Sequence, residues 1–450
     1  RYMAIQSEQT CSGIDKKTAQ AIAAAAKKRS TVQPLHRVVL TGMGAVTPAG
    51  VGADVLIESL MQGKNNLSLL PEETAEQFGT YVVGAIPDFD ATEHGLSKKQ
   101  ARRWSSYVQY AVISADEALA QSGIDLEKED LDRFAVVFGT GIGGMKIFSD
   151  EAVKLHEKGP KRVSPLFIPS MMPNAAAGEL AIRYGLRGEC IDVSTACATG
   201  TQSIGEAYRM IRFGYADCAL AGGSEESVCG VAIAGFGNLG ATSKSHDVDA
   251  ASMPFDIRRN GFVPGEGGAA VVLESLEHAQ ARGAHIIAEV TGYGSTGDGY
   301  HITSPEPGGA GILRAMQQAL AEGGFEPADL GHLNAHGTAT HINDKTESEA
   351  LAALMGTDTP EVPVVSVKGS VGHMLGGAGA VEALVTAYCV SEGVVPPTVG
   401  FAEPDPECKV RVLTEALTDY PQKVALSTSL GFGGHNGCLA FSPYVEDIQE

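Results

Sequence analysis

RVVLTGMG, residues 37–44, is an apolar stretch that runs into a glycine turn, and it predicts a buried strand. The phrase IIAEVTGYG, residues 286–294, repeats the Thr-Gly-x-Gly ending after another apolar stretch. Two such phrases so far apart indicate that the chain contains two related halves. We therefore expect an N-terminal half over residues 36–285 and a C-terminal half over residues 286–450.

Strands and helices alternate along both halves. Apolar strands are predicted at residues 134–138 and 219–221, and helices at residues 108–121 and 202–213. This alternation is typical of α/β proteins, in which helices form layers on sheets. Since no linker rich in Pro, Gly and Ser separates the halves, we expect them to pack as one body.

Residues 1–35 form an N-terminal extension to which we assign no function. Within it, residues 15–29 predict a short helix with a basic end, and the apolar segment of a secretory signal is absent. A remnant of a plastid transit peptide is one interpretation, but Glu8 and Asp15 are unusual in such peptides. The expected compartment is therefore the cytoplasm, with the plastid as the alternative.

The composition excludes several classes of protein. A length of 450 residues, 44% of them hydrophobic, suits two domains or one large double domain. No apolar run approaches the ~18 residues that a membrane-spanning helix needs, so no membrane span is expected. The formal net charge of −21 argues against binding to nucleic acid. One local basic patch (Lys98, Lys99, Arg102 and Arg103) either receives an acidic partner or is a solvated helix face.

The eight cysteines do not form the C-x-x-C pairs of zinc or iron–sulfur sites, so no metal is expected. Most are expected to be buried, reduced thiols. Cys197 differs, because STACATG at residues 194–200 follows an apolar stretch and precedes a predicted helix. Helix amides facing a thiol at such a turn lower its pKa and make it a nucleophile. The alternative is an inert buried cysteine among small residues.

Two histidines follow apolar strands in glycine-containing loops. His336 lies in NAHGTAT, residues 334–340, and His373 ends SVKGSVGH, residues 366–373. Loops of this kind usually line a cleft, although each histidine taken alone is as well explained by one structural hydrogen bond. Glu347 and Lys368 are expected to form a buried ion pair between the two loops.

Three further features concern a pocket and a ligand. The hydroxyls of Thr338 and Thr340 would suit a channel for a polar ligand arm, although a threonine-rich turn is also ordinary. In STSLGFGGHN, residues 427–436, Phe432 is flanked by glycines and predicts a movable side chain over a pocket. The G-x-G-x-x-G pattern occurs at residues 139–144 and again at 292–297, but neither is expected to open a helix with the dinucleotide-binding context.

Together these segments resemble the β-ketoacyl-[acyl carrier protein] synthases, and among them the type II elongating enzymes. The resemblance covers about residues 37–445 and includes five motifs in family order. They are the nucleophile segment at 194–200, PFDIRRNGFVPGEG at 254–267, H-G-T-x-T from His336, K-x-x-x-x-G-H from Lys368, and G-F-G-G-x-N from Gly431.

The resemblance implies a duplicated thiolase-like fold, layered α-β-α-β-α with two five-stranded mixed sheets, in a homodimer. It implies an acyltransferase that forms an acyl-Cys197 intermediate and condenses it, with decarboxylation, with malonyl-acyl carrier protein. The enzyme would have no cofactor of its own, since the phosphopantetheine arm belongs to the acyl carrier protein.

The family pattern also assigns roles to residues of this sequence. His336 and His373 would donate to the enolate oxygen, and the backbone amides of Cys197 and Phe432 would form the oxyanion hole. The other roles are support of the site (Lys368, Glu347, Asp344), contact with the pantetheine arm (Thr338, Thr340), the acyl pocket (Ile142, Phe236) and the gate (Phe432).

Alternatives and departures accompany this interpretation. A ketosynthase of a type II polyketide pathway would share every motif. A non-catalytic partner subunit of a ketosynthase pair is disfavoured by Cys197, and a degradative thiolase by the two histidines. The sequence departs from the common family pattern at Glu189-Cys190, Gly240, Asn260, Gly369 and Leu430, so the chain-length preference and carrier affinity do not follow from the resemblance.

Overall fold

Both Thr-Gly-x-Gly phrases lie in strands of one mixed sheet in the computed structural model, which describes residues 35–446. β1 (Val38–Thr47) contains the first phrase and β9 (Ala288–Gly297) contains the second. The helix predicted at residues 15–29 lies outside the described residues. The other strands are β2 (Gly50–Val51), β3 (Ser68–Leu69), β4 (Val82–Val83), β5 (Phe134–Gly139), β6 (Cys190–Ile191), β7 (Cys218–Glu225), β8 (Gly267–Ser275), β10 (Leu330–Asn334), β11 (Pro363–Val365), β12 (Arg411–Val412), β13 (Val424–Gly431) and β14 (His435–Ser442).

The sheet runs in the order β12-β11-β10-β13-β14-β9-β1-β8-β7-β5-β6, with β2 paired to β1. The prediction of two separate five-stranded sheets is wrong in this detail. Antiparallel pairing of Val38–Leu40 with Ala288–Val290 joins the two groups of strands, and β12 adds a sixth strand to the C-terminal group. Beyond Leu40, β1 pairs with β8 and β2 but no longer with β9, so the shared part of the two groups is short.

Helices lie on both groups of strands and between them. In chain order they are α1 (Ala53–Met61), α2 (Glu72–Phe78), α3 (Lys98–Arg103), α4 (Ser106–Ser122), α5 (Met145–Lys158), α6 (Phe167–Met171), α7 (Ala175–Tyr184), α8 (Thr199–Arg212), α9 (Gly230–Asn238), α10 (Leu276–Ala281), α11 (Ala310–Gly323), α12 (His341–Met355), α13 (Lys368–Val371) and α14 (Ala378–Glu392). The helices predicted at residues 108–121 and 202–213 correspond to α4 and α8.

The layering agrees with the predicted α-β-α-β-α arrangement. α4 and α7 pack on the N-terminal strands, and α11 packs on β9 and β14. α8 and α14 contact strands of both groups and therefore form the central layer. None of the helices within residues 35–446 is long and apolar enough to cross a bilayer.

The repeated glycines allow the outer helices to approach closely. A Cβ atom on Gly44 would lie 2.0 Å from the carbonyl oxygen of Ser114 in α4. A Cβ atom on Gly294 would lie 1.9 Å from the carbonyl oxygen of Ala315 in α11. The glycines of the two phrases therefore allow the same close helix packing on β1 and β9, which supports the interpretation of the chain as two related halves.

The central helices meet at their N-terminal ends. A Cβ atom on Gly200 of α8 would lie 2.4 Å from the backbone nitrogen of Ala380 in α14, and one on Gly379 would lie 2.3 Å from Thr201 Oγ1. Such contacts leave no space for a methyl group. As a result, the turns that precede the two helices, Ala196–Ala198 and Leu375–Gly377, contact each other.

Candidate active site

Cys197 lies in a single 3₁₀ turn between β6 and α8, as the sequence predicts. The preceding residue, Ala196, has a φ of 51°, which is rare for a residue other than glycine. The backbone N–H of Thr195 donates to Thr199 Oγ1 at 2.9 Å and closes the turn. Backbone strain of this kind is concentrated at functional sites in proteins.

His336 follows β10 in a loop that is fixed by one carboxylate. The backbone N–H groups of His336 and Gly337 donate to Glu347 Oε1 and Oε2 at 2.8 and 2.9 Å. Thr428 Oγ1 donates to the same carboxylate at 2.6 Å. Glu347, on α12, therefore sets the position of the His336 backbone.

The predicted ion pair between Glu347 and Lys368 is wrong. Lys368, in α13, instead forms its ion pair with Glu382 of α14, and both side chains are buried. The backbone amides and a hydroxyl already use the Glu347 oxygens, whereas Glu382 is the one buried charged residue of an apolar helix.

Lys368 also determines the proton arrangement on His336. Its Nζ lies 3.3 Å from His336 Nδ1. An ammonium group has no acceptor, so Nδ1 accepts this hydrogen bond and, in the neutral ring, Nε2 carries the proton. His336 therefore presents an N–H donor on the side of the ring away from Lys368.

His373 completes the group. Its backbone N–H donates to the carbonyl oxygen of Val263 at 2.8 Å, and its carbonyl oxygen accepts from Gly265 at 2.9 Å. Its ring centroid lies 5.2 Å from that of His336, and Nδ1 has no hydrogen-bond partner among residues 35–446. Ligating atoms of Cys197, His336 and His373 lie within 4.8 Å of one another, so the structure brings the three predicted residues together.

Burial determines the charges in this group. Desolvation, and then the charge of Lys368, holds the pKa of both His336 and His373 well below the usual range, so both imidazoles are neutral at pH 7. Desolvation also raises the pKa of Cys197 to about 11, although Lys368 and the backbone N–H of Phe432 act in the opposite direction. The expected lowering of the thiol pKa is therefore wrong, because desolvation outweighs the lowering by Lys368 and by the Phe432 N–H.

A thiol and two imidazoles are also the donors of many zinc sites. A histidine that binds a metal usually donates its second ring N–H to an acceptor, which leaves the metal-facing nitrogen unprotonated. At His336 the second nitrogen faces a donor, Lys368, so the inward nitrogen is protonated. The arrangement suits two hydrogen-bond donors beside a thiol better than it suits a metal ion.

A cavity of about 480 Å³ opens onto these three residues. The residues predicted for the pocket, the ligand arm and the gate line it: Ile142, Phe236, Thr338, Thr340 and Phe432. Thr338 Oγ1 and Thr340 Oγ1 lie 2.9 Å apart, within hydrogen-bond distance. Phe236 packs in a small apolar cluster with Cys197, Phe262 and Leu375.

Asp344 does not line the cavity. Its carboxylate accepts from the backbone N–H of Phe255 at 2.8 Å and lies 3.6 Å from Arg259 Nε. Desolvation raises its pKa to about 6. This residue fixes the Phe255 segment behind the His336 loop.

Three of the departures from the family pattern lie at the cavity: Gly240, Asn260 and Leu430. Gly240 has a φ of +72°, and a Cβ atom there would meet no other atom within 4 Å. Asn260 Oδ1 accepts from Ser243 Oγ at 2.9 Å and so fixes a neighbouring loop. These positions line the cavity without contributing to the group around Cys197.

The glycine-rich phrase at residues 139–144 opens a helix, α5. Its amides are nevertheless occupied, because the backbone N–H groups of Gly141 and Ile142 donate to Glu225 at 2.8 and 3.3 Å. A carboxylate of the protein thus lies where a phosphate would bind. The second phrase, residues 292–297, lies within β9.

Sequence reasoning missed Glu225, Glu382 and the strained residues Ala196 and Leu375. Leu375 has a φ of 44° and lies two residues after His373. The isolated charge in the apolar run around Glu382 is a signal that sequence analysis offers. The positive φ angles carry no such signal, because alanine and leucine are ordinary residues elsewhere.

Two family models match the chain. Beta-ketoacyl synthase, N-terminal domain, covers residues 35–279, and Beta-ketoacyl synthase, C-terminal domain, covers residues 287–402. Among curated relatives, 3-oxoacyl-[acyl-carrier-protein] synthase 2 of Staphylococcus aureus (strain COL) is 42% identical over 408 residues, which are 91% of this chain and 98% of the relative. The protein of the same name from Synechocystis sp. is 41% identical over 409 residues, with the same shares.

Solved structures of ketosynthases are also similar to this chain. A beta-ketoacyl synthase from Burkholderia phymatum is 34% identical with a TM-score of 0.84, and the match covers 91% of this chain and 100% of that chain. The AntDE:AntF structure, a type II PKS acyl-carrier protein in complex with its ketosynthase bound to the hexaketide, is 32% identical with a TM-score of 0.84. That match covers 92% of this chain and 100% of the other. The predicted α/β fold class is thereby confirmed.

The raised thiol pKa predicts how Cys197 reacts with iodoacetamide. Below its pKa a thiol gains thiolate about tenfold per pH unit, so alkylation of Cys197 should accelerate about tenfold per unit from pH ~7 to ~10. Mass spectrometry of the Cys197 peptide over time measures this rate, and the exposed Cys190 provides an internal comparison. A rate that levels off near pH ~7 would show that the thiolate is already formed, against this expectation.

Proposed function

This chain belongs to the β-ketoacyl synthase family, and on that basis we propose that it is a 3-oxoacyl-[acyl-carrier-protein] synthase of fatty-acid elongation. The observation that carries the proposal is a buried thiol beside two neutral imidazoles at the end of one cavity. This set supplies a nucleophile and neutral hydrogen-bond donors, which suits a reaction in which loss of CO₂ generates the carbanion.

The first step is acyl transfer to Cys197. Its sulfur attacks the carbonyl carbon of the acyl thioester, a new C–S bond forms, and the C–S bond to the carrier's phosphopantetheine arm breaks. The thiol proton of Cys197 leaves with the released pantetheine thiol. Backbone amides of Cys197 and Phe432 would stabilise the oxyanion, a role supported by the effect of the Phe432 N–H on the thiol pKa.

The second step uses malonyl-acyl carrier protein. Cleavage of the bond to the carboxylate releases CO₂ and leaves an enolate whose oxygen accepts from His336 Nε2–H and from His373. The enolate carbon then attacks the acyl-Cys197 carbonyl carbon, the C–S bond breaks, and the thiolate takes a proton. The product is a 3-oxoacyl thioester on the carrier.

Neighbouring residues support these steps. Lys368 fixes the tautomer of His336, Glu347 fixes its backbone, and Asp344 fixes the segment behind it. Thr338 and Thr340 would contact the pantetheine arm, Ile142 and Phe236 would contact the acyl chain, and Phe432 would act as the gate. No cofactor beyond the carrier's phosphopantetheine is required by this scheme.

A ketosynthase of a type II polyketide pathway is the second candidate, because one similar structure is of that kind. The identity of 42% to 3-oxoacyl-[acyl-carrier-protein] synthase 2 of Staphylococcus aureus, against 32% to the polyketide ketosynthase, favours the first candidate. The non-catalytic partner subunit remains disfavoured, since the thiol, both histidines and the cavity occur together.

The proposal predicts an acyl-enzyme. Incubation with medium-chain acyl-acyl carrier protein should add the mass of one acyl group to the wild-type chain, and Cys197→Ala should show no addition. Intact-protein mass spectrometry makes the measurement, with circular dichroism as the control for folding. A folded wild-type protein that stays unmodified by a correctly loaded carrier would refute the nucleophile assignment.

We propose that the acidic acyl carrier protein docks on α3. Lys98, Lys99 and Arg102 are exposed on this helix and form no ion pair among residues 35–446. The helix leads into α4, whose first backbone N–H, on Ser106, donates to Glu226. Glu226 adjoins Glu225, which contacts the Ile142 wall of the cavity, so α3 lies at the cavity end of α4. Opposite charges at this surface would steer the carrier toward the opening.

Charge reversal on α3 tests this docking site. Lys99→Glu together with Arg102→Glu should raise KM for acyl-acyl carrier protein about tenfold at low salt, with less effect at high salt. Steady-state kinetics provides the measurement, and the variant should keep its activity toward a small thioester substrate. Lys128→Glu is the matched control, because Lys128 lies beyond the far end of α4, about 25 Å along that helix. An unchanged KM in the α3 variant would exclude this surface.

We also propose a homodimer. β6 ends the sheet with one edge unpaired in the described chain, and an exposed edge strand favours pairing with another copy. Helices α5 and α6 expose Phe148, Val153 and Ile168 by more than half. Light scattering should give about twice the chain mass of 46.7 kDa, and Val153→Glu with Ile168→Glu should lower it. A wild-type mass near that of one chain would contradict this assembly.

The division into halves at residues 36–285 and 286–450 is supported by the equivalent packing of the Thr-Gly-x-Gly phrases.

A cytoplasmic location is supported by seven free cysteines among the described residues, since reducing compartments keep thiols free. Cell fractionation distinguishes the cytoplasm from the plastid.

A further inference from the structure

Glu225 is a buried carboxylate that the proposed chemistry does not use. It ends β7, directly below the loop that contains Ile142. We propose that Glu225 is a positioning residue that ties the acyl-pocket wall at Ile142 to the loop after His373 and thereby restricts the acyl chains that enter. This inference rests on the proposed function and extends it to the control of chain length.

Four hydrogen bonds converge on this carboxylate from two loops. Oε1 accepts from Thr140 Oγ1 at 2.8 Å and from the backbone N–H of Ile142 at 3.3 Å. Oε2 accepts from the backbone N–H of Gly141 at 2.8 Å and from that of Gly376 at 3.1 Å. One side chain therefore bonds both the pocket wall and the turn that precedes α14.

The two loops are in contact around this carboxylate. A Cβ atom on Gly376 would lie 2.3 Å from the backbone nitrogen of Gly141. A Cβ atom on Gly141 would lie 2.7 Å from Glu225 Oε2 and 3.3 Å from the carbonyl oxygen of Ala196. The pocket wall, the Cys197 turn and the Leu375 turn thus meet at one point, so a shift of Ile142 cannot occur without disturbing its neighbours.

Glu225 depends on these donors because it forms no ion pair within residues 35–446 and is almost fully buried. A buried carboxylate is stabilised by the N–H and O–H groups directed at it, and those groups need it as their acceptor. Glutamine has one oxygen and one NH₂ group, so Glu225→Gln would turn donors toward at least one of the two loops. The substitution retains the size of the side chain and removes part of its hydrogen bonding to the loops.

The chemical consequence concerns long acyl chains. Ile142 lines the cavity that opens onto Cys197, and on the proposed function an acyl chain too long for that cavity would require this wall to move. A movement of the Ile142 backbone would break its hydrogen bond to Glu225 and shift the carboxylate to which the Gly376 amide is also bonded. Weakening the hydrogen bonds that Glu225 accepts from the two loops should therefore favour long acyl chains over short ones.

Glu226 provides a matched control. It is the next residue, is also buried, and accepts from the backbone N–H groups of Ser106 and Lys146 at 2.8 and 3.3 Å. Desolvation raises the pKa of both Glu225 and Glu226 to about 7. Glu226→Gln therefore makes the same chemical change at similar burial, but its donors belong to α4 and α5 and not to the pocket wall.

The test measures kcat/KM for hexanoyl- and palmitoyl-acyl carrier protein. Glu225→Gln should shift the ratio about tenfold toward palmitoyl, whereas Glu226→Gln should leave it within about twofold. The double variant Glu225→Gln/Ile142→Ala should show less than the sum of the single effects, because Glu225 acts through Ile142. An unchanged ratio in Glu225→Gln, or equal shifts in both glutamine variants, would overturn the inference.

Two further measurements separate other causes of failure. If Glu225→Gln does not fold, Thr140→Val removes one of the four donors and should shift the ratio in the same direction by about threefold; an unchanged ratio there also overturns the inference. Acylation of wild-type Cys197 is measured in parallel. A wild type that forms the acyl-enzyme while Glu225→Gln keeps the wild-type ratio refutes the role of Glu225 alone, whereas no acyl-enzyme refutes the proposed function.

Discussion

The close contact between α8 and α14 is the constraint on which the site depends. Gly200 and Gly379 leave no space between the helices, so the turns that precede them are pressed together. One turn contains Cys197, and the other follows His373 by two residues. Residues from distant parts of the chain therefore share one small volume. The strained φ angles of Ala196 and Leu375 lie within these two turns and are sustained by the same packing.

Desolvation determines the chemical character of the site. It keeps both imidazoles neutral and the thiol protonated, and it makes the contact between Lys368 and His336 decisive for proton placement. Neutral N–H donors in a buried site stabilise the negative charge that appears during the reaction. Because the rings carry no positive charge, they do not bind the ground state equally well. The ion pair of Lys368 with Glu382 confines the lysine to the far side of His336.

Sequence patterns predicted the features that depend on residue type and order. The α/β class and the turn at Cys197 followed from apolar periodicity, and the convergence of Cys197, His336 and His373 followed from the family resemblance that the ordered motifs carry. The ion pair of Lys368 was assigned to Glu347, because the sequence does not tell which backbone amides will already occupy a carboxylate. The predicted lowering of the Cys197 thiol pKa was wrong for a similar reason, since the direction of the shift depends on burial. The continuous sheet depends on only three residue pairs, which strand periodicity does not indicate.

The short ladder between β1 and β9 has a consequence for biosynthesis. One apolar core contains residues of both halves, among them Val38 of β1, Ile204 of α8 and Val381 of α14. The N-terminal half, which emerges from the ribosome first, therefore presents an unfinished core and an open nucleophile turn until the C-terminal half is made. The chain gains its folded stability and its reactive group in one late cooperative event. Truncated or stalled chains would in consequence be substrates for quality control and not partially active enzymes.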